Sequence, residues 1–500
     1  MKRLFPVVIA LAQIFLTGCG KTDTDNHEKV IAKIDFSSWL EESFQVSPDN
    51  TRVAYLARSG LKRCVVINCT RERLFDRIDK KSIAFSPDSQ RIAYSALEDK
   101  KWSVFVDGEK GKKYDDIGTG TLVFSPNSER VVYAALMNRK WAVVVDEESG
   151  KEYDDIAPGT PIFSPDSLHV AYAARRYKKW CVVLDEKEGK LYEGFLEGNP
   201  VFSPDSQRMA YGAISKGKFI VVVDGEAGKS YDGISDLIFS PDSKHLVYAA
   251  CEGDKRFVVV DGEEGERYGG IGEGTVVFSP DSEHLAYTVQ DNGKSFVVID
   301  GEEGEKYDAI MQGTPIFSQD SKHLAYAARI GTKSFFVVDG EEGKEYDSII
   351  LARNTFSPDS ERVAYIAARG DKWLAVVDDV EGNSYDSIIE GHPVFSPDSK
   401  RVAYAAKSDD KVIMVVDDEE GKEYDYVVKG GPVFSPDSKH VVYGAKEGDK
   451  AFIIVDGKEG KKYDSIISIG GGRIVFDSDD SFFYLAAKDN LVLRIDETID

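Results

Sequence analysis

Residues 314–350 read TPIFSQDSKHLAYAARIGTKSFFVVDGEEGKEYDSII. Pro315-Ile316-Phe317 is the first predicted strand, ended by the turn Ser318-Gln319-Asp320-Ser321. His323–Ala327 is the second, and Ser334–Val338 the third, closed by Asp339-Gly340-Glu341-Glu342-Gly343. Glu345–Ile349 is the fourth. Val, Ile, Phe and Tyr suit a pleated, half-buried surface, whereas Asp-Gly and Pro-Asp words are turn chemistry. Outside the N-terminus no long stretch carries a helical period.

The unit recurs along the chain. The serine of its Phe-Ser-Pro-Asp-Ser-like word falls at Ser47, Ser86, Ser125, Ser164, Ser203, Ser240, Ser279, Ser318, Ser357, Ser396 and Ser435, 39 residues apart except for one step of 37. A decayed twelfth copy stands at Phe476-Asp477-Ser478-Asp479. Four strands in about 40 residues is the signature of a β-propeller blade. The sequence therefore predicts an all-β propeller protein of about twelve four-stranded blades.

The word Ser-Pro-Asp-Ser-x-[Arg/His]-[Val/Leu]-Ala-Tyr, followed by Val-Val-Asp-x-x-x-Gly-Lys, resembles the WD-repeat-like blades of the TolB-type family, from about residue 31 to 500. Copies in that family more often have Gly after Pro-Asp, where Ser stands here. The resemblance implies a scaffolding role in the periplasm, among partners that maintain the envelope.

Ring partition follows from geometry. Facing sheets pack about 10 Å apart, so twelve blades in one ring would enclose an opening of about 38 Å, too wide for side chains to fill. Propellers usually close with 4–8 blades. The expectation is two tandem rings of about six, residues 31–272 and 273–500, with seven plus five or one large ring as alternatives. The chain ends after a third strand, Leu491–Ile495, and Ile31–Phe36 is a spare strand at the other end. Pairing them would cover two open edges.

Lys2 and Arg3 precede a short apolar run, and Leu16-Thr17-Gly18-Cys19 resembles the lipobox of bacterial lipoproteins. That resemblance implies a signal peptide over 1–18, lipidation of Cys19 and a tether over 19–30. Two or three acyl chains anchor stably where one does not. Gly20 rather than Asp after the cysteine implies outer-membrane delivery, facing the periplasm. The chain has 63 Lys+Arg against 87 Asp+Glu, a net charge of −24. Losing Lys2 and Arg3 makes it more negative. Such a balance argues against nucleic acid as a partner.

Candidate chemistry is sparse. His169, His245, His284, His323 and His440 share a slot with Arg52, Arg91, Arg130, Arg208, Arg362 and Arg401, five residues after the repeat serine. A slot that takes either is a hydrogen-bonding position and not a metal ligand, since Arg has no lone pair to offer. His392 stands alone in a loop between blades, and His27 in the tether. The acidic turns at Asp261, Asp300 and Asp339 lack the ligand spacing of a calcium loop. Trp102, Trp141, Trp180 and Trp373 are read as sharing a packing position with Phe219, Phe257, Phe296 and Phe335. Cys64 and Cys69 flank one hairpin and could bridge, while Cys181 and Cys251 read as buried thiols. No nucleophile elbow, zinc motif or phosphate loop is found. No cofactor or metal is called for.

Variation among the copies is patterned. Taking Glu345–Ile349 as the fourth strand puts the near-invariant turns 1–2 and 3–4 on one face and the divergent turns 2–3 and 4–1 on the other. Candidate binding residues are then Met137, Asn138, Arg175, Arg176, Tyr177, Gln290 and Asn292 in turns 2–3, with Met311, Gln312, Arg353, Asn354 and His392 between blades. Variation confined to one face of a repeat scaffold marks a surface free to specialise. The sequence thus predicts a non-catalytic, membrane-tethered scaffold that binds a protein or glycan. The alternatives are a propeller enzyme acting on a polysaccharide or peptide, and a structural spacer without a ligand.

Overall fold

A computed structural model describes residues 27–196, 200–235, 237–389, 393–468 and 470–499. All its regular elements are strands, arranged in twelve antiparallel sheets of one blade each. No helix among the described residues is long and apolar enough to cross a membrane. Cys19 and the expected signal segment, residues 1–18, lie outside the described residues.

We number the blades in chain order, starting at Trp39. In blade 8 the second strand, Leu324–Ile330, pairs with the third, Lys333–Val338, and the third with the fourth, Glu341–Tyr346. The fourth strand therefore ends at Tyr346, three residues before the expected Ile349. Ser348 already opens the first strand of blade 9, Ser348–Phe356. The first strand is longer than expected and is usually split. In blade 8 both Ala309–Ile310 and Ile316–Phe317 pair with Leu324–Ile330. A hydroxyl repairs the gap: Thr314 Oγ1 donates to the Met311 carbonyl at 2.7 Å. In blade 3 the matching Thr121 also accepts the Ala134 N–H at 3.0 Å, standing in for a missing ladder carbonyl.

This corrects the expected turn 4–1. Segments such as Met311-Gln312-Gly313 interrupt the first strand in mid-course, and the true connection is the single residue Asp347, between Tyr346 and Ser348.

The N-terminal strand completes the last blade. Glu28–Lys33 runs antiparallel to Leu491–Thr498, with Glu28 opposite Ile495. It is the predicted pairing, begun three residues earlier. Glu28 takes the place of a repeat glutamate: it accepts from Tyr463 Oη at 2.8 Å, as Glu420 does from Tyr385 at 2.8 Å.

Core packing lies between blades. At the seam of blades 3 and 4, Tyr153 from a fourth strand meets Tyr172 from a second strand edge to face, with centroids 6.0 Å apart. The Ser-Pro-Asp-Ser word fastens the same seam. Its first serine caps its own turn, as Ser164 Oγ donates to Asp166 at 2.5 Å. Its second serine, Ser167, accepts the Asn127 N–H of the preceding blade at 2.9 Å. This staple repeats through Asp205 to Ser243 and Asp242 to Ser282. Each buried cluster joins one blade to the next, and one joins Val46 and Tyr55 of blade 1 to Leu485 and Val492 of blade 12. There Val46 N–H donates to the Gly470 carbonyl at 2.7 Å.

The Arg/His slot is a clip. Arg130 donates from Nε to Asp146 at 3.0 Å and from Nη1 to the Ser167 and Leu168 carbonyls of the next blade, lying over Phe163. His284 meets Asp300 at 2.7 Å and stacks on Phe317 of the next blade. Asp300 is thereby engaged, also accepting the Leu285 N–H at 2.9 Å.

Two packing expectations change. Trp102 pairs with Leu97, and the residues in its register in blades 6, 7 and 8 are Arg256, Ser295 and Ser334. Phe257, Phe296 and Phe335 stand one residue later, on the opposite face of the sheet. In blades 7 and 8 the bulk swaps faces, with Phe following a serine where Ser103 or Ala142 follows a tryptophan. Cys64 is a free, buried thiol in the blade 12–1 cluster and does not bridge to Cys69. Its strand points it into that core, away from the tight turn that carries Cys69. Cys181 is buried as expected, whereas Cys251 is half-exposed.

Candidate docking face

The hairpins between second and third strands turn in two residues. Such turns need left-handed backbone, matching the twist of the strands. In blade 8 Gly331 supplies it freely at φ +59°. In blades 2, 3 and 4 both tip residues are left-handed without glycine: Asp99 and Lys100, Asn138 and Arg139, Tyr177 and Lys178. Non-glycine residues there carry strain, which persists only where the surroundings impose it.

A repeated brace holds most of the hairpins. Asp347, in the connection between blades 8 and 9, accepts the Gly370 N–H of the next hairpin at 2.7 Å and pairs with Lys333 at 2.7 Å. Asp154 does the same for the Tyr177 N–H at 3.1 Å and for Lys140. The lysine beside Asp347 and the Gly370 N–H hold its carboxyl below the usual carboxylate range. The base of the face is therefore largely constant while its tips vary, the exception being the blade 6–7 connection, where Gly269 takes the brace position and donates its own N–H to Asp291 at 3.0 Å.

The predicted hairpin residues gather on this face. Tyr177 is 74% exposed, and Arg176 lies 5.0 Å from its ring. Arg176 also pairs with Glu188 at 3.2 Å. Arg175 pairs with Asp155 at 3.0 Å and covers Trp180 at 5.5 Å. Asn138, Gln290 and Asn292 are exposed, while Met137 is half-buried against the blade 2–3 core. The remaining candidates do not join them. Met311 and Gln312 sit in the first-strand interruption of blade 8, and Met311 packs against a core cluster. Arg353 and Asn354 lie within the strand Ser348–Phe356. His392 falls outside the described residues.

The charge of the tips is ordered along the series of blades, a signal carried by the repeat register and not by any single loop. Blades 2 to 5 carry Lys100, Arg139, Lys178 and Lys216, whereas blades 9 to 11 carry Asp371, Asp410 and Asp449. All seven are exposed. The face has a basic arc and an acidic arc. The basic arc also holds the half-buried Trp102, Trp141, Trp180 and Phe219 at one register. Arg, Tyr and Trp together are the usual composition of interface hot spots.

A second irregularity lies at the seam of blades 6 and 7. The 37-residue step brings the two first-strand segments of blade 6, Gly233–Ile234 and Ile238–Phe239, closer in sequence than those of blade 8, and a cleft of about 280 Å³ lies beside them, lined by Ile234, Cys251, Arg256, Ile271 and Glu273. Gly233 permits the close approach, since a Cβ there would lie 2.9 Å from Cys251 Sγ.

No family model matches the chain, and no curated protein matches it. Among solved structures, a eukaryotic initiation factor is 13% identical over 67% of this chain and 96% of its own, with a TM-score of 0.35. The β-propeller domain of the Trilobed protease from Pyrococcus furiosus is 18% identical over 56% and 98%, with a TM-score of 0.27. The Dos1 propeller is 12% identical over 61% and 95%, with a TM-score of 0.29. Likenesses of that size carry no functional argument. The class of the protein, a twelve-bladed β-propeller, rests on its sheets and their pairing.

Proposed function

We propose that this propeller is a non-catalytic scaffold of the bacterial envelope, of the TolB-like kind, anchored through acyl chains on Cys19 and docking a protein or glycan on its hairpin face. The observation that carries the docking role is the division of labour within each repeat. The invariant residues bond between blades or brace the hairpins, and the exposed tips vary in an ordered way. The lipobox-like Leu16-Thr17-Gly18-Cys19 carries the anchor. All twelve blades belong, in this reading, to one ring. Its support is the unbroken series of seams, in which the blade 6–7 staple at Asp242 and Ser282 matches its neighbours at 2.9 Å, and blade 12 packs on blade 1.

Affinity capture from envelope extracts tests the docking role. Reversal of Arg175, Arg176 and Lys178 to Glu is expected to abolish capture that the parent chain supports, whereas reversal of Glu263 and Glu302 on the opposite turns leaves it intact. Equal capture by both would overturn the assignment. Mass spectrometry of the mature N-terminus is expected to show an acylated Cys19, and an unmodified terminus would remove the anchor.

A further inference from the structure

The charges on the hairpin tips are arranged so that the face complements itself. The second tip position holds Lys100, Arg139 and Lys178 in blades 2, 3 and 4, and Asp449, Asp410 and Asp371 in blades 11, 10 and 9. None of these six makes an ion pair among the described residues. Their neighbours Lys101, Lys140, Lys372, Lys411 and Lys450 are the ones held by the bracing aspartates.

Two copies laid face to face about a two-fold axis meet in mirrored blade order. With the axis crossing the 6–7 and 12–1 seams, blade 2 meets 11, 3 meets 10 and 4 meets 9. Lys100 then faces Asp449, Arg139 faces Asp410 and Lys178 faces Asp371, each pair twice by symmetry. The other second-position tips bring no like charges together. Blade 6 meets 7 with Asp254 against Gly293, and blade 1 meets 12 with the fully exposed Leu61 against Asn490. The exposed Tyr177 faces Gly370, where the absence of a side chain leaves room for its ring. The three cations hold left-handed backbone at φ +63°, +67° and +64°, a conformation that Gly293 takes without strain at +78°. Strained, unpaired cations in three consecutive blades, each matched by an unpaired aspartate in the mirrored blade, form a complementary pattern for association.

We propose that the hairpin face is the interface of a two-fold, face-to-face dimer of this chain, with the basic arc of each copy on the acidic arc of the other. It rests on the reading of this face as a docking surface and on closure in one ring.

Sedimentation velocity tests it on the full chain carrying Cys19→Ser, so that no acyl chain drives association. A dimer is expected at 0.1 M NaCl, with at least about ten-fold weaker association at 0.5 M as the ion pairs are screened. Arg139→Glu with Lys178→Glu, and separately Asp371→Lys with Asp410→Lys, are each expected to yield monomers. These tips are exposed, so folding is checked by an unchanged circular dichroism spectrum. Mixing the two variants is expected to restore the dimer, because every reversed pair regains an opposite partner. A monomeric parent chain, a dimer indifferent to both reversals, or variants that stay apart on mixing would overturn the proposal. If the parent is monomeric and tip reversal still abolishes partner capture, the dimer falls and the docking face stands.

Discussion

At the seams from blade 1 to blade 4, the slot five residues after the repeat serine holds Arg52, Arg91 and Arg130. From blade 6 to blade 9 the same slot holds His245, His284 and His323. Arg91 and Arg130, like His284 and His323, each reach an aspartate of their own blade and lie over or against a phenylalanine of the next. Only arginine has a second arm: Arg91 Nη1 donates to the Ser128 and Glu129 carbonyls across the seam at 3.3 and 2.7 Å. The serine staple and the interlocked tyrosines are alike in both regions. Blade assembly therefore does not depend on the guanidinium. The clip adds a cross-seam tie to a joint that closes without it, and the histidine region is the more weakly tied.

The largest effect should fall on what the two regions share. Tyr153→Ala at the blade 3–4 seam and Tyr307→Ala at the 7–8 seam each empty a buried ring position, and each is expected to cost about 3–5 kcal/mol in chemical denaturation. A much smaller loss in either region would show that the tyrosines are not the common joint. Next come the clips themselves. Arg91→Ala removes three charge-assisted bonds from a side chain one-third exposed, for about 1–2 kcal/mol, whereas His284→Ala is expected to cost less than about 1 kcal/mol. Equal losses would erase the distinction.

The smallest effect is a pH dependence confined to the histidine region. Hydrogen bonds to Asp300 and Asp339 raise the His284 and His323 pKa above the ordinary histidine value. A group whose folded pKa is raised stabilises fully below its unfolded pKa, near 6.5, and loses that contribution as pH rises through the folded value. The melting temperature is thus expected to fall slightly from pH 6 to pH 9. The double variant His284→Arg with His323→Arg should melt higher and lose this step. An unchanged step would assign it to other groups.

The blade was legible in the sequence because its determinants are local. Alternating apolar runs and Asp-Gly turns set the second and third strands, and a spare strand at one end matched a missing one at the other. The first strand was misjudged because Met311-Gln312-Gly313 resembles a loop. What keeps it in the sheet is the Thr314 hydroxyl bonding back to Met311, a contact that no pattern of apolar residues reveals. The tryptophan column was misread by one residue because a phenylalanine on either face of a sheet satisfies the same composition. The Arg/His slot was recognised as a hydrogen-bonding position, but its partners, the carbonyls of the next blade, are about 40 residues away. The hairpin candidates at Arg175, Arg176 and Tyr177 came from variability alone. The charge order that gives them meaning emerged only when the tips were set in blade sequence on one face.

Closure of the twelve blades in one ring is directly visible by single-particle electron cryo-microscopy of the full chain. The expected image is one disc in which twelve blades surround a single opening, with the N-terminal strand on the outer edge of the last blade. Two separate discs of about six blades each would contradict it.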